Sequence, residues 1–167
     1  LSEKLGQSFV IENRPGGGTN IATEQALRAA PDGYTLLLVA PANAINATLY
    51  EKLNHNYLRD TAQVAGLIRF PNVVVVNPSV PATTIPELIA HLKANPGKYF
   101  IGSGGIGTPM HLYGEMLKTQ FGLDYTHVPF RGSAAAIIGL LADQVQFVFE
   151  QVPSFIGHVE AGTLRAI

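Results

Sequence analysis

The chain reads as an α/β protein with mostly parallel sheets. Short apolar runs alternate with runs of helical period along almost its whole length, the order that builds strands joined by crossover helices. Two of the apolar runs, residues 34–39 and 73–76, are nonpolar at nearly every position, as in strands covered on both faces. Strand ends also pass into glycine-rich turns that open helices, above all at residues 101–111. With 167 residues, 47% of them hydrophobic, the chain can form one domain or two small lobes around a real core.

The elements follow in order. Residues 1–6 resemble the last turn of a helix, with Gly6 at a left-handed cap. Phe9, Val10 and Ile11 form a short buried strand that ends in the turn at residues 13–18. Thr19 or Asn20 caps a helix to about Ala30, stopped by Pro31, Asp32 and Gly33. A strand at 34–39 leads to a helix ending near Tyr50, a polar loop over 51–60 and a short strand at 64–68. Val73, Val74, Val75 and Val76 form a strand stopped by Asn77 and Pro78. Thr84, Pro86 and Glu87 make the start of a capped helix that ends at Asn95, Pro96 and Gly97. The glycine-rich strand–turn–helix then runs to about Phe121. Strands at 125–128 and 144–149 alternate with helices at 133–142 and 154–160, and Leu164 begins a last strand. Residues 77–81 are the expected boundary between a first lobe (1–77) and a second lobe (78–167).

Composition removes several functions. A net charge of −1 with no single-sign run gives neither nucleic acid nor an anionic membrane a basic face. The absence of cysteine excludes a structural disulfide and a thiolate zinc site. The five histidines (His55, His91, His111, His127 and His158) show no i,i+4 pair and no metal-ligand spacing, so neither a metal nor a cofactor is expected.

Ligands of open α/β sheets bind beyond the carboxyl ends of the strands. Three such ends carry suitable residues. The first holds Ser103, Gly104, Gly105, Gly107, Thr108 and His111; the second holds Phe130, Arg131, Gly132 and Ser133; the third holds Glu150. Asn43, after the strand at 34–39, is a fourth contributor. Helix starts expose amide donors and partial positive charge, so those near Thr108 and Ser133 suit a carboxylate. Each residue also has a structural reading. The glycine turn can simply pack a helix on a sheet, and Phe130 can be core. Arg131 can be a solvated charge, His111 can cap a carbonyl, and Glu150 can be exposed or pair with Arg131.

Catalysis is the weaker reading. Gly102, Gly104 and Gly107 fit G-x-G-x-x-G with Asp124 at about the ~20-residue dinucleotide spacing. In that fold, however, the acidic residue closes the second strand, whereas Asp124 precedes the run at 125–128. A nucleophile elbow at Ser103 needs glycine where Ile101 stands. Binding without turnover is expected. A nucleotide-dependent enzyme using the loop at 102–107, or a structural fragment that binds nothing, stand as alternatives.

Four motifs occur in order: Asn13-Arg14-Pro15-Gly16-Gly17-Gly18-Thr19-Asn20, Pro31-Asp32-Gly33-Tyr34-Thr35-Leu36, Gly102-Ser103-Gly104-Gly105-Ile106-Gly107-Thr108 with His111, and His127-Val128-Pro129-Phe130-Arg131-Gly132. Together they resemble the substrate-binding proteins of tripartite tricarboxylate transporters, the Bug family, over essentially the whole chain. The resemblance implies a periplasmic type II binding protein whose two α/β lobes close on a ligand by hinge motion. It implies a small carboxylate ligand (a di- or tricarboxylate, an amino acid or an aromatic acid), a membrane permease as partner, and no cofactor. By position, residues 103–108 match the family's glycine-rich loop, and His111 matches the histidine of the next helix. Phe130, Arg131 and Gly132 match a segment that usually begins with tyrosine. Glu150 stands where aspartate is more usual, and Asn43 lies in a first-lobe loop. Family members extend past both ends, so the resemblance also implies a chain truncated at both ends, with an incomplete first lobe.

Overall fold

The computed structural model describes residues 1–167. Its N-terminal part is helical and extended. Helix α1 (Ser2–Leu5) is one turn closed by Gly6 in the left-handed conformation. Helix α2 (Asn20–Leu27) follows the glycine turn, α3 (Pro41–Leu49) begins at a proline, and α4 (Tyr57–Asp60) is a single turn capped by Asn56. This last turn lies inside the stretch expected to be loop.

Every strand lies beyond residue 71: β1 (Asn72–Val76), β2 (Phe100–Ser103), β3 (Thr126–Pro129), β4 (Phe147–Gln151) and β5 (Arg165–Ala166). They form one sheet in the order β3-β2-β4-β1-β5. Helices α5 (Ile85–Ala94), α6 (Pro109–Phe121), α7 (Ser133–Leu141) and α8 (Val152–Glu160) connect them. Strands β3, β2 and β4 run parallel, and β1 is antiparallel to both β4 and β5. The sheet is therefore mixed, with parallel pairing confined to the three strands linked by α6 and α7.

The sheet is covered on both faces, as its apolar strands require. Val74 and Val76 enter a core with Leu88 and Leu92 of α5, Ile101, Tyr125 and Phe147. Val75 points to the other face, into a core with Ile137 and Leu140 of α7 and Phe155 of α8. This is the period-2 alternation of a central strand. Helix α5 starts as its sequence predicts: the Thr84 hydroxyl accepts from the Glu87 amide at 3.4 Å. The Glu87 carboxylate reaches back to the Thr83 amide and hydroxyl, each at 2.8 Å.

Three expected strands are absent. Residues 9–11, 34–39 and 64–68 are in no sheet, and Val10 is 86% and Tyr34 93% exposed. An apolar run becomes a strand only when a neighbour takes its backbone hydrogen bonds, and none of the three finds one here. The expected boundary also differs from the sheet's extent. Strand β1 precedes residue 77 yet pairs along its whole length with β4. The Asn77 amide donates to the Gln146 carbonyl at 2.9 Å and its side chain to the Leu140 carbonyl at 2.8 Å.

These environments separate two substitutions of similar chemistry. Leu88→Ala, at a fully buried position, is expected to lower unfolding free energy by about 2–5 kcal/mol in urea titration. Val10→Ala, at an exposed one, is expected to change it by less than about 0.5 kcal/mol.

Candidate functional site

Two glycine loops meet beyond the carboxyl ends of β2 and β3. One, at residues 16–19, opens α2; the other, at 104–108, opens α6. Gly18 has φ 56°, and a Cβ there would collide with the Ile106 carbonyl oxygen. Gly107 has φ 84°, and a Cβ there would collide with Oδ1 of Asn46. Both positions need glycine for conformation and for space. Asn46 of α3, 1% exposed, fastens the first loop: its Nδ2 donates to the Gly18 carbonyl at 2.5 Å and to Asn20 Oδ1 at 3.0 Å.

The second loop is held from within. The Ser103 hydroxyl, 2% exposed, lies 2.7 Å from His127 Nε2 and accepts from the Gly105 amide at 3.2 Å. The Thr108 hydroxyl donates to the Gly105 carbonyl at 2.7 Å and accepts from the His111 amide at 3.4 Å, capping α6. The Gly107 amide donates to His111 Nδ1 at 3.4 Å. The His111 and His127 rings stack with centroids 4.3 Å apart. Burial, reinforced by His111, lowers the His127 imidazole to about 4 against an opposing pull from Glu115, so His127 is neutral at physiological pH.

Gly104 acts differently. A Cβ on it would sit 3.1 Å from the Ser133 amide nitrogen and 3.3 Å from the Gly132 carbonyl carbon. A side chain here would press on the first turn of α7. That helix has no side-chain cap; its N-cap is Gly132 at φ 106°. Its first amides have no partner within the helix. Its N-cap Gly132, with Gly104 and Thr108, lines one wall of a cavity of about 190 Å³. Arg14, Gly16, Thr19, Thr23, Leu37, Leu38 and Asn43 are among the residues of the other wall.

The match to the family model described as "Tripartite tricarboxylate transporter family receptor" covers residues 1–167. The chain belongs to this receptor family. Bordetella pertussis BugT is 32% identical over 169 residues, and a Cupriavidus necator relative is 35% identical over 167. Among solved structures, R. palustris Rpa4515 with adipate superposes with a TM-score of 0.95 at 34% identity. BugD superposes at 0.84 with 28% identity. These matches cover 99–100% of the chain but 52% of BugT, 50% of the Cupriavidus protein, 56% of the Rpa4515 chain and 55% of BugD. The chain thus spans about half the length of the relatives it matches.

Within this receptor fold the expected site residues divide. Asn43, Gly104, Thr108 and Gly132 line the cavity together. Asn43 also holds α3, accepting from the Ala40 amide at 3.0 Å and donating to Thr23 Oγ1 at 2.8 Å. Ser103, Gly105, Gly107 and His111 make hydrogen bonds within the loop. Phe130 packs with the α7–α8 core, its ring against Gly139 and Gly102. Arg131 is exposed and forms no ion pair with Glu150 or any other acid. Glu150 is 1% exposed and does not line the cavity. Burial raises its pKa, and the Gln151 amide at 2.9 Å and the Ser133 hydroxyl only partly oppose this. Arg14, Thr19, Leu37 and Leu38 were not among the expected site residues. A cation inside a glycine turn was the one clue to Arg14; the turn chemistry masked it. Asp124 lies two residues before β3, where its carbonyl accepts from the Gly97 amide, at the opposite end of the sheet from the loop. The dinucleotide arrangement is therefore not formed.

Two pH-dependent outcomes follow. A carboxyl with a raised folded pKa contributes stability that is complete below its ordinary value and lost as pH rises. Glu150→Gln is therefore expected to raise the melting temperature at pH 7–8 and to add nothing near pH 4; equal gains at both would contradict the buried carboxyl. For His127, with its folded pKa lowered, stability is complete above about 6.5 and falls as pH drops toward about 4. His127→Gln is expected to flatten that part of a melting profile.

Proposed function

We propose that this protein is an extracytoplasmic receptor that captures a small organic carboxylate for the membrane permease of a tripartite transporter. The uncapped start of α7, opened to the cavity by Gly104, carries this reading. Amide hydrogens at a helix tip are ready-made anion ligands, and the facing wall brings the cavity's only charged side chain, Arg14. Rpa4515 was solved with adipate and R. palustris MatC with bound malate, the latter at 25% identity and a TM-score of 0.89. Both ligands are carboxylates, in keeping with this donor set. The receptor family to which the chain belongs supports capture of the ligand. Binding without turnover is the reading that fits. No helix is long and apolar enough to cross a membrane, and a periplasmic location belongs to the same proposal. So does a division into two lobes.

The test is isothermal titration against di- and tricarboxylates, amino acids and aromatic acids. One acid class is expected to bind saturably. Gly104→Ala is expected to weaken it by about tenfold or more, the scale of one charged hydrogen bond. Silence across the panel would contradict the receptor reading. Unaltered affinity in Gly104→Ala would remove the α7 tip from the site.

A further inference from the structure

One ionisable side chain is buried beside the α7 tip and has no task in the receptor reading. Glu150 lies near the end of β4 and is 1% exposed. Side chains two apart on a strand share a face. Glu150 therefore lies on the face of Val148, and its register partner on β1 is Val73. Both valines pack in the core that α7 and α8 cover. Glu150 Oε1 accepts from the Gln151 amide at 2.9 Å, and the Ser133 hydroxyl donates to the same carboxylate. Ser133 is the first residue of α7. Its amide nitrogen would be 3.1 Å from a Cβ on Gly104, and Gly104 lines the cavity. Ser133 thus links the buried carboxyl to the cavity wall.

No counter-charge answers this carboxyl. Strands β1 and β2 and helix α7 hold no ionisable side chain. Helix α8 holds His158 and Glu160 at its far end, while the turn next to Glu150 is uncharged. Helix α6 holds His111, Tyr113, Glu115 and Lys118, but it packs on the opposite face. There the Tyr113 ring rests against Phe149, the residue before Glu150. His127 of β3 is engaged with Ser103, and β2 separates β3 from β4. Arg131 forms no ion pair with Glu150, and Arg14 across the cavity pairs with Glu12. Burial therefore raises the Glu150 pKa with no cation to oppose it.

We propose that Glu150 couples ligand capture to proton uptake: a proton enters at its carboxyl as an anionic acid enters the cavity. An ionised Glu150 and a bound carboxylate would set two negative charges about Ser133, both drawing on the start of one helix. Repulsion between charges held out of water is poorly screened. Linkage is reciprocal, so a bound carboxylate tightens the proton on Glu150 as much as the proton tightens the carboxylate. Affinity is therefore full while Glu150 is protonated and falls as pH rises through its raised pKa. This rests on the receptor reading and adds regulation to it.

The test is isothermal titration of adipate, malate and citrate into the protein between about pH 6 and pH 9, each in buffers of different ionisation enthalpy. Wild type is expected to take up part of a proton per acid bound. Its affinity is expected to fall about fivefold or more as pH rises. Glu150→Gln, neutral at every pH, is expected to bind with no proton uptake and a flat pH profile. At the alkaline end it is expected to bind more tightly than wild type. An acid that binds wild type with no proton uptake anywhere in this range would overturn the coupling, whether or not the variant folds. Uptake that persists in Glu150→Gln would overturn it too. Both outcomes leave the receptor reading intact. Silence of all three acids would overturn the coupling, and silence across the wider panel would overturn the receptor reading as well.

Discussion

The contact between two glycine loops governs the rest of this structure. Gly18 lies against the Ile106 carbonyl and Gly107 against Asn46, so neither position has room for a side chain. Backbone meets backbone there because glycine alone removes the Cβ and tolerates positive φ. Asn46 secures the approach from the first loop's side. The cavity exists because the loops touch at one edge and diverge beyond it. On one side stand Arg14 and Thr19, on the other Gly104 and Gly132.

That contact sorts the polar groups into two sets. Donors and acceptors around Gly105 and Gly107 are consumed in holding the loop, through Ser103, Thr108, His111 and His127. The His111 and His127 rings lie against each other behind the loop, with His127 held neutral by burial. Other polar groups lack internal partners: the start of α7 has no side-chain cap, the Thr19 hydroxyl is unpaired, and Arg14 pairs only with Glu12. Glu150 stays behind α7, buried beside Ser133 and outside the cavity wall.

Much of this was legible in the sequence. The helices from α5 onward, the valine strand β1 and the Thr84 cap follow from period, turn residues and capping chemistry, all local. The family motifs placed the glycine loop and the α7 start at one end of the sheet. What was not legible depends on partners far along the chain. Residues 34–39 look like a buried strand, but burial needs a neighbouring strand, which composition cannot supply. Ser103 looked like a ligand donor because His127, 24 positions away, is what occupies it. Phe130 looked like a site residue because its strand end is one, yet its ring turns into the core against Gly139. Arg14 was hidden for the opposite reason: its neighbours read so strongly as a turn that the cation among them went unassigned.

Amide hydrogen exchange of the protein, with and without saturating adipate, tests the central claim most directly. Slowed exchange is predicted at residues 14–19 and 132–135, where the two walls offer donors, with no change in α8. Protection confined to the far end of the sheet near Asp124, or absent from both walls while adipate binds, would contradict a carboxylate held between the two glycine loops.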